Sequence, residues 1–227
     1  MNGWLYLLLF LALGYFVLVN ALLVLSVRRM SDPEALIKPV AANSDSDALN
    51  DSPFSTWAEA QGFRRDSRFD FFGVPGSDKP MEVDAWVSSD KLTILLRYRF
   101  NGREWLDIAS GLDDHYSLVT SNFHNALILP QPPNVLIQVF VDMPPEQLHQ
   151  EHLKARTYVE QHFGATPDRV DVPVTRLVAE AVRKQMTYIR SLPFWYLRGP
   201  GWQLFRGRRY RNRSIIELIE SLPGGNQ

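Results

Sequence analysis

The sequence LTILLRYRF-NG-REWLDI, residues 92–108, carries the strongest indication of the fold. Asn101-Gly102 is the preferred pair for a two-residue type I′ turn, because both positions of that turn need a positive φ. A loop of this length places Tyr98 opposite Trp105, a favourable cross-strand pair. The same register pairs Arg99 with Glu104 and Phe100 with Arg103. The stretch therefore predicts an antiparallel β-hairpin.

Further strands are expected on both sides of the hairpin. Met81 to Ser88 is predicted to precede it, turning through Ser89-Asp90, and Tyr116 to Asn122 and Val135 to Val141 are predicted to follow it. The connections are short, which favours antiparallel pairing throughout. We expect a sheet of about four or five strands.

Two main helices are predicted after the strands. Asp142 can cap a helix from about Pro144 to Phe163, and Gly164 suits the position after its end. Asp171 can cap a second helix, whose apolar residues repeat every 3.6 positions until a proline stops it. These apolar residues are Val174, Leu177, Val178, Ala181, Val182, Met186 and Ile189, and the proline is Pro193.

A short C-terminal helix is expected from Ser214, because Ser214-Ile-Ile-Glu217 has the spacing of a capping box. Strands followed by helices, without βαβ alternation, indicate an α+β domain. We assign this domain to residues 56–227.

The N-terminal segment indicates a membrane anchor. No charged side chain occurs from Gly3 to Val27. Trp4 to Val27 forms a helix of roughly 36 Å, which is long enough to cross a hydrocarbon core of about 30 Å. A cleaved signal peptide would need a basic start and a shorter apolar run. We therefore predict a single-pass anchor within residues 1–30. For the chain as a whole we predict no cofactor.

The orientation of the anchor follows from Arg28 and Arg29, which come directly after the apolar run. Lys and Arg near a span remain in the cytoplasm. The sequence thus predicts a cytoplasmic body and an N-terminus outside. Residues 31–55, which are polar, acidic and without periodicity, are predicted to be a flexible linker.

Composition excludes several kinds of chemistry. The chain of 227 residues has no cysteine, which rules out disulfides, cysteine zinc sites and a cysteine nucleophile. A formal net charge of -1 gives no overall bias toward nucleic acid. No catalytic, cofactor-binding or metal-binding signature is complete.

Two histidine-containing stretches are interpreted as structural. Glu146-x-x-His149 has the spacing of half a di-iron carboxylate site, but a second copy is lacking. We interpret His149 and His152 as part of a polar helix face. Asp113-Asp114-His115 could bind a metal, although Asp favours a turn between strands, which is our interpretation here.

The aromatic–arginine segment, residues 194–213, is the most unusual surface predicted from the sequence. It holds six arginines and no acid, whereas residues 31–90 hold twelve acids and five bases. Its candidate binding residues are Trp195, Arg198, Trp202, Arg206, Arg208, Arg209, Arg211 and Arg213.

Four roles are open for this segment. Trp, Tyr and Arg suit a membrane surface with anionic lipid, and they also dominate protein–protein hot spots. Stacking and phosphate contacts would suit single-stranded nucleic acid, which we consider an unlikely partner. In the fourth interpretation the aromatics are core and the arginines pair with the acids of residues 31–90.

The sequence therefore favours a membrane-tethered, non-catalytic interaction module. The alternative is a membrane-tethered hydrolase or metal enzyme whose site residues are dispersed along the chain. A deep pocket where Asp113, Asp114 and His115 meet His149 or His152 would favour the enzyme.

Overall fold

A seven-stranded sheet with helices on both faces forms the body of the protein. The computed structural model describes residues 3–40, 53–74, 77–113, 116–206 and 211–221. The helices are α1 (Gly3–Arg29), α2 (Pro33–Leu36), α3 (Pro53–Ala60), α4 (Pro145–Phe163), α5 (Val174–Ser191) and α6 (Ile215–Glu220). The strands are β1 (Ile37–Pro39), β2 (Phe63–Phe71), β3 (Met81–Ser88), β4 (Ile94–Phe100), β5 (Arg103–Leu112), β6 (Tyr116–Ser121) and β7 (Val135–Val139).

The predicted hairpin is confirmed as β4 and β5. Tyr98 lies opposite Trp105, and the two rings stack with centroids 5.5 Å apart. Asn101 has a φ of 49° and Gly102 a φ of 72°. Both turn positions are therefore left-handed, as the Asn-Gly pair predicts.

Gly102→Val tests this turn. Valine is strained at positive φ, so we expect the free energy of unfolding to fall by about 1–2 kcal/mol. A Cβ at Gly102 meets no atom within 4 Å, which makes backbone strain the cause rather than a clash. Urea unfolding measures the change, and Gly201→Val, with equally open space but no positive φ, is the control. Equal stability of the two variants would contradict the turn assignment.

The sheet order β1-β2-β3-β4-β5-β6-β7 follows the chain, and the pairs are antiparallel up to β6. β7 instead pairs with β6 in parallel, so the prediction of a wholly antiparallel sheet is wrong. Residues 122–134 connect the two strands, and a connection of about a dozen residues is long enough for a parallel crossover.

Two strands were absent from the sequence prediction. β2 has no regular apolar alternation in its sequence FRRDSRFDF, because arginines and aspartates interrupt it. β1 lies in the predicted linker, where α2 and β1 occupy residues 33–39 and β1 pairs with β2. α3 begins at Pro53. Residues 33–39 and 53–55 of the predicted linker therefore form regular structure, and residues 41–52 lie outside the described residues.

Helices cover both faces of the sheet. On the first face, Ala58 of α3 and Leu148 of α4 pack against Leu95 and Ile108. On the second face, Val174 of α5 packs with strand residues such as Phe69, Val83 and Leu96, and Met30 and Leu36 lie against the same cluster. An α+β architecture is confirmed, although its helices are arranged as two outer layers.

The helix ends agree only in part with prediction. Gly164 is left-handed after α4, and Ser214 forms the predicted capping box with Glu217. The predicted caps of α4 and α5 are wrong, because prolines occupy both N-cap positions and no side chain caps them. Asp171 pairs with Lys91 instead, with Nζ 3.3 Å from Oδ1.

Candidate functional site

The last turns of α1 are part of the body's core. Leu23 and Val27 form a buried cluster with Met186 and Ile189 of α5. The preceding part of α1 is different, because its large apolar side chains from Trp4 to Leu18 are exposed. α1 is the helix, among the described residues, that is long and apolar enough to cross a membrane. One helix therefore combines an apolar exposed part with a docked end.

The segment after α5 runs back along α1. Residues 194–206, which we call the aromatic segment, contain a 3₁₀ turn at Trp195–Leu197, a helical turn at Gly199–Gly201 and a π-helical turn at Trp202–Arg206. The amide N–H of Gly199 donates to Asn20 Oδ1 over 3.1 Å. Further along, the Tyr15 hydroxyl donates to Gln203 Oε1 over 3.1 Å.

Gly199 permits the close approach of the two elements. A Cβ placed on it would lie 3.1 Å from Val19 Cγ1, 3.2 Å from Asn20 Oδ1 and 3.3 Å from the Val19 carbonyl oxygen. Such distances are tighter than ordinary van der Waals contact. The glycine therefore lets the aromatic segment lie against α1 with its backbone.

The aromatic segment has a protein-facing side and an exposed side. Trp195 and Trp202 pack partly against the cluster of Leu23, Val27, Met186 and Ile189. The exposed side carries Phe194, Tyr196, Leu197, Leu204 and Phe205. Phe205 is 73% exposed and Phe194 is 67% exposed, so the aromatics are not simply core.

The arginines of the aromatic–arginine segment are only partly described. Arg198 is exposed, and the Arg211 and Arg213 guanidiniums donate to oxygen atoms of His124, Glu217 and Ser221. None of these three arginines forms an ion pair with residues 31–90 in the described part of the chain. Arg208 and Arg209 lie outside the described residues, as does the side chain of Arg206.

Two acids of residues 31–90, Asp84 and Glu82, instead pair with sheet arginines. Asp84 is nearly buried, and one of its oxygens lies 2.7 Å from Arg65 while the other lies 3.0 Å from Arg99. Glu82 lies 3.0 Å from Arg68. The charge contrast in the sequence therefore does not bring these acids to the described arginines of the aromatic–arginine segment.

His152 does not lie on a polar helix face, and that prediction is wrong. It is 0% exposed and points from α4 onto the sheet. Its Nε2 lies 3.0 Å from Ser110 Oγ, and its Nδ1 lies 2.9 Å from Thr120 Oγ1. Burial, together with the positive charge of Arg156 and nearby His149, lowers the pKa of His152 to about 3. The imidazole is therefore neutral at physiological pH.

The hydroxyl groups around this imidazole have further partners. Gln138 Nε2 donates to Thr120 Oγ1 over 2.9 Å, and Arg156 donates to Thr93 Oγ1 over 3.0 Å. Ser110 Oγ lies 3.3 Å from the same Thr93 oxygen. The network is satisfied when Thr120 donates to Nδ1, the Nε2 proton is donated to Ser110, and Ser110 donates to Thr93. This buried cluster serves packing, because Ser110 and His152 are both closed to solvent.

The other candidate groups do not join this cluster. His149 is half-buried against the rings of Trp57 and Phe63, and burial lowers its pKa. Asp113 is in a left-handed turn conformation, and its Oδ1 accepts the Thr166 amide. Asp114 and His115 lie outside the described residues. No group of three or more potential metal ligands occurs among the residues that the structure describes.

No protein-family model, curated protein or solved structure matches this chain. Sequence reasoning missed the contact between α1 and the aromatic segment, and it misplaced His152. One signal for His152 was present, because the alternation of β5 puts Ser110 on the same face as buried Leu106, Ile108 and Leu112. A serine on a core face needs a buried hydrogen-bond partner.

Proposed function

We propose that this chain is a single-pass, membrane-anchored interaction module. α1 crosses the bilayer, and the body presents the aromatic–arginine segment, residues 194–213, as its binding surface. The observation that carries this proposal is the contrast within α1, whose part from Trp4 to Leu18 is exposed and apolar while Leu23 and Val27 are buried in the body. An apolar surface of that extent is favourable only against another apolar phase.

The docked end of α1 gives the tether a defined geometry. A flexible linker would leave the body free to rotate about the anchor. Here Val27 is fully buried beside α5, so the body is held at one orientation to the helix axis. An interaction surface held in this way meets a partner at the membrane at lower entropic cost than a freely tumbling one.

The body is proposed to lie in the cytoplasm. Arg28 and Arg29 are exposed at the end of α1, where they increase the positive charge on the side of the body. Residues 1–3, on the other side of α1, carry no Lys or Arg. The asymmetry favours an N-terminus outside.

We favour an interaction role over a hydrolase or metal enzyme, because the most enzyme-like pair of polar side chains in the described residues is buried away from solvent. A hydrolase needs its nucleophile and base open to a substrate. Ser110 and His152 form the hydrogen-bonded pair nearest to that requirement, and both are inaccessible. An open groove beside the start of α5, lined partly by Arg65, Lys91 and Asp171, contains neither residue.

Reporter fusions and membrane extraction test the anchor and its orientation. A reporter active only in the cytoplasm, fused after Gln227, is expected to be active in the full chain. Alkaline carbonate is expected to leave the protein in the membrane pellet. The matched variant moves charge across α1 through Asn2→Arg, Gly3→Arg, Arg28→Gln and Arg29→Gln. It should lose much of the cytoplasmic signal and still resist carbonate.

The outcomes separate the two parts of the proposal. Release by carbonate would contradict the membrane-spanning role of α1. Retention in the pellet with an inactive cytoplasmic reporter, and an active external one, would contradict only the orientation.

A further inference from the structure

We infer that the aromatic segment, residues 194–206, is a second membrane-inserting element that lies in the lipid leaflet beside α1. This inference rests on the proposed membrane-spanning role of α1 and names the partner of the binding surface as the bilayer itself. The segment does not cross the bilayer, since it enters and leaves on the side of the body.

The depth of the segment follows from its contacts along α1. Gly199 bonds to Asn20 and Gln203 bonds to Tyr15, five residues closer to the N-terminus. At 1.5 Å per residue, Gln203 lies about 7–8 Å further toward the membrane centre than Gly199. Helices that lie at a membrane interface bury their apolar side by about 5–10 Å. If Arg198 marks the headgroup level, residues 202–205 reach the acyl chains.

The alternative placement of the headgroups leads to the same result. If the headgroups lie at Arg28 and Arg29, the whole segment is deeper, because Asn20 lies about 10 Å from Val27 along the helix. In both placements Phe205 is on the acyl-chain side of Arg198. The inference therefore does not depend on where the span ends.

The exposed side of the segment fits lipid. Phe194, Leu197, Leu204 and Phe205 are large apolar side chains that contribute no hydrogen bond, and they are exposed beside the exposed apolar surface of α1. Leu22 and Leu25 of α1 are exposed as well. The segment thus extends the surface that α1 presents to lipid, and this continuity favours the bilayer over a separate protein partner or a second copy of the chain.

Several polar groups along the contact between α1 and the segment are paired within the protein, as a low-dielectric environment requires. The two ends of the Asn20 amide are used, because Nδ2 donates to the Phe16 carbonyl and Oδ1 accepts from Gly199. The Tyr15 hydroxyl donates to Gln203. The N–H groups of Arg198 and Trp202 donate to main-chain carbonyls within the segment. Asn20 and Tyr15, which interrupt the apolar run, therefore hydrogen-bond to the segment.

Single-cysteine labelling of the full chain tests the inference, since the natural sequence has no cysteine. Phe205→Cys carries an environment-sensitive NBD fluorophore in liposomes, and Leu204→Cys provides a second position. Leu9→Cys in α1 is the lipid-embedded reference, and Arg103→Cys at the exposed hairpin turn is the aqueous reference. Phe205 and Leu204 have exposed side chains, so their replacement removes little packing.

The probes at residues 205 and 204 are expected to resemble the Leu9 probe. Their emission should be shifted to the blue, iodide should quench them several-fold less than the Arg103 probe, and lipids with nitroxide on the acyl chain should quench them strongly. Iodide quenching equal to that of the Arg103 probe would overturn the inference. Protection from iodide without quenching by nitroxide lipid would also overturn it, because a protein would then cover the segment. A water-exposed Leu9 probe would instead refute the anchor.

Discussion

Replacing His152 with alanine is expected to lower the free energy of unfolding by about 3–5 kcal/mol. The change leaves a cavity between α4 and the sheet. It also removes one hydrogen-bond partner each from Ser110 and Thr120, whose hydroxyls lie 3.0 Å and 2.9 Å from the ring nitrogens and are nearly or fully buried. Urea unfolding of the full chain in mild detergent, followed by tryptophan fluorescence, measures the loss.

His162→Ala is the matched control. His162 is on the same helix and its ring stacks on that of Tyr158, but it is exposed. We expect its replacement to change the free energy of unfolding by less than about 0.5 kcal/mol. A His152→Ala variant as stable as this control would show that the buried network does not contribute to folding.

The pH dependence provides a second test of His152. Its pKa is about 3 in the folded protein, against 6.5 when unperturbed, so the unfolded state binds more protons between these values. Stability is therefore expected to fall as the pH falls from 6.5 toward 3, by up to about 1.4 kcal/mol per pH unit from this residue. His152→Ala should lose this contribution.

Asp107 is expected to change the pH dependence of stability in the direction opposite to His152. Burial raises its pKa to about 6, although hydrogen bonds from Ser121 and Tyr98 reduce the shift. Between pH 3.8 and 6 the folded state therefore binds more protons at this carboxyl, and its contribution to stability decreases as the pH rises. Asp107→Asn should make the acid sensitivity due to His152 steeper in this range.

Deleting residues 1–30 is expected to destabilise the body as well as remove the anchor. The deletion takes Leu23 and Val27 out of their cluster and exposes Met186 and Ile189. Burial of each large apolar side chain is worth about 1.5–3 kcal/mol, so the loss should be about 3–5 kcal/mol. The truncated chain should also associate through the uncovered patch, which size-exclusion chromatography measures.

Deletion of residues 1–18 is the matched control for this effect. It removes most of the exposed apolar surface and keeps Asn20, Leu23 and Val27 against the body. In the same detergent this shorter deletion should retain most of the stability of the full chain. Equal stability of the two truncated chains would contradict the packing of α1 into the core.

The features that depend on neighbouring residues could be predicted from the sequence. The Asn101-Gly102 pair determined the hairpin and its register, because few residues adopt the two left-handed conformations of that turn. The 3.6-residue repeat from Val174 to Ile189 predicted the burial of Val174, Met186 and Ile189, although Ala181 is exposed and Ala179 is buried instead. Ser214 with Glu217 predicted the start of α6. The length and apolarity of α1 were also evident, since both are properties of one continuous segment.

The features that depend on distant residues could not be predicted in this way. β1 is three residues long and is held in place by its pairing with β2, which no local pattern indicates. The parallel pairing of β7 with β6 depends on how residues 122–134 cross the sheet. His152 looked like a surface residue because its helix is polar overall. Ser110 and Thr120, which make its burial favourable, lie 42 and 32 positions away in the chain.

The same distinction applies to the candidate functional site. The sequence by itself determined an uncharged helix long enough for a bilayer and a later segment rich in aromatic residues and arginine. Only the tertiary structure placed this segment against α1, through bonds from Gly199 to Asn20 and from Tyr15 to Gln203, which join residues more than 170 positions apart. Hydropathy is a property of each segment separately. Which two segments pack against each other depends on their complementary shapes, such as the space that Gly199 leaves for Val19.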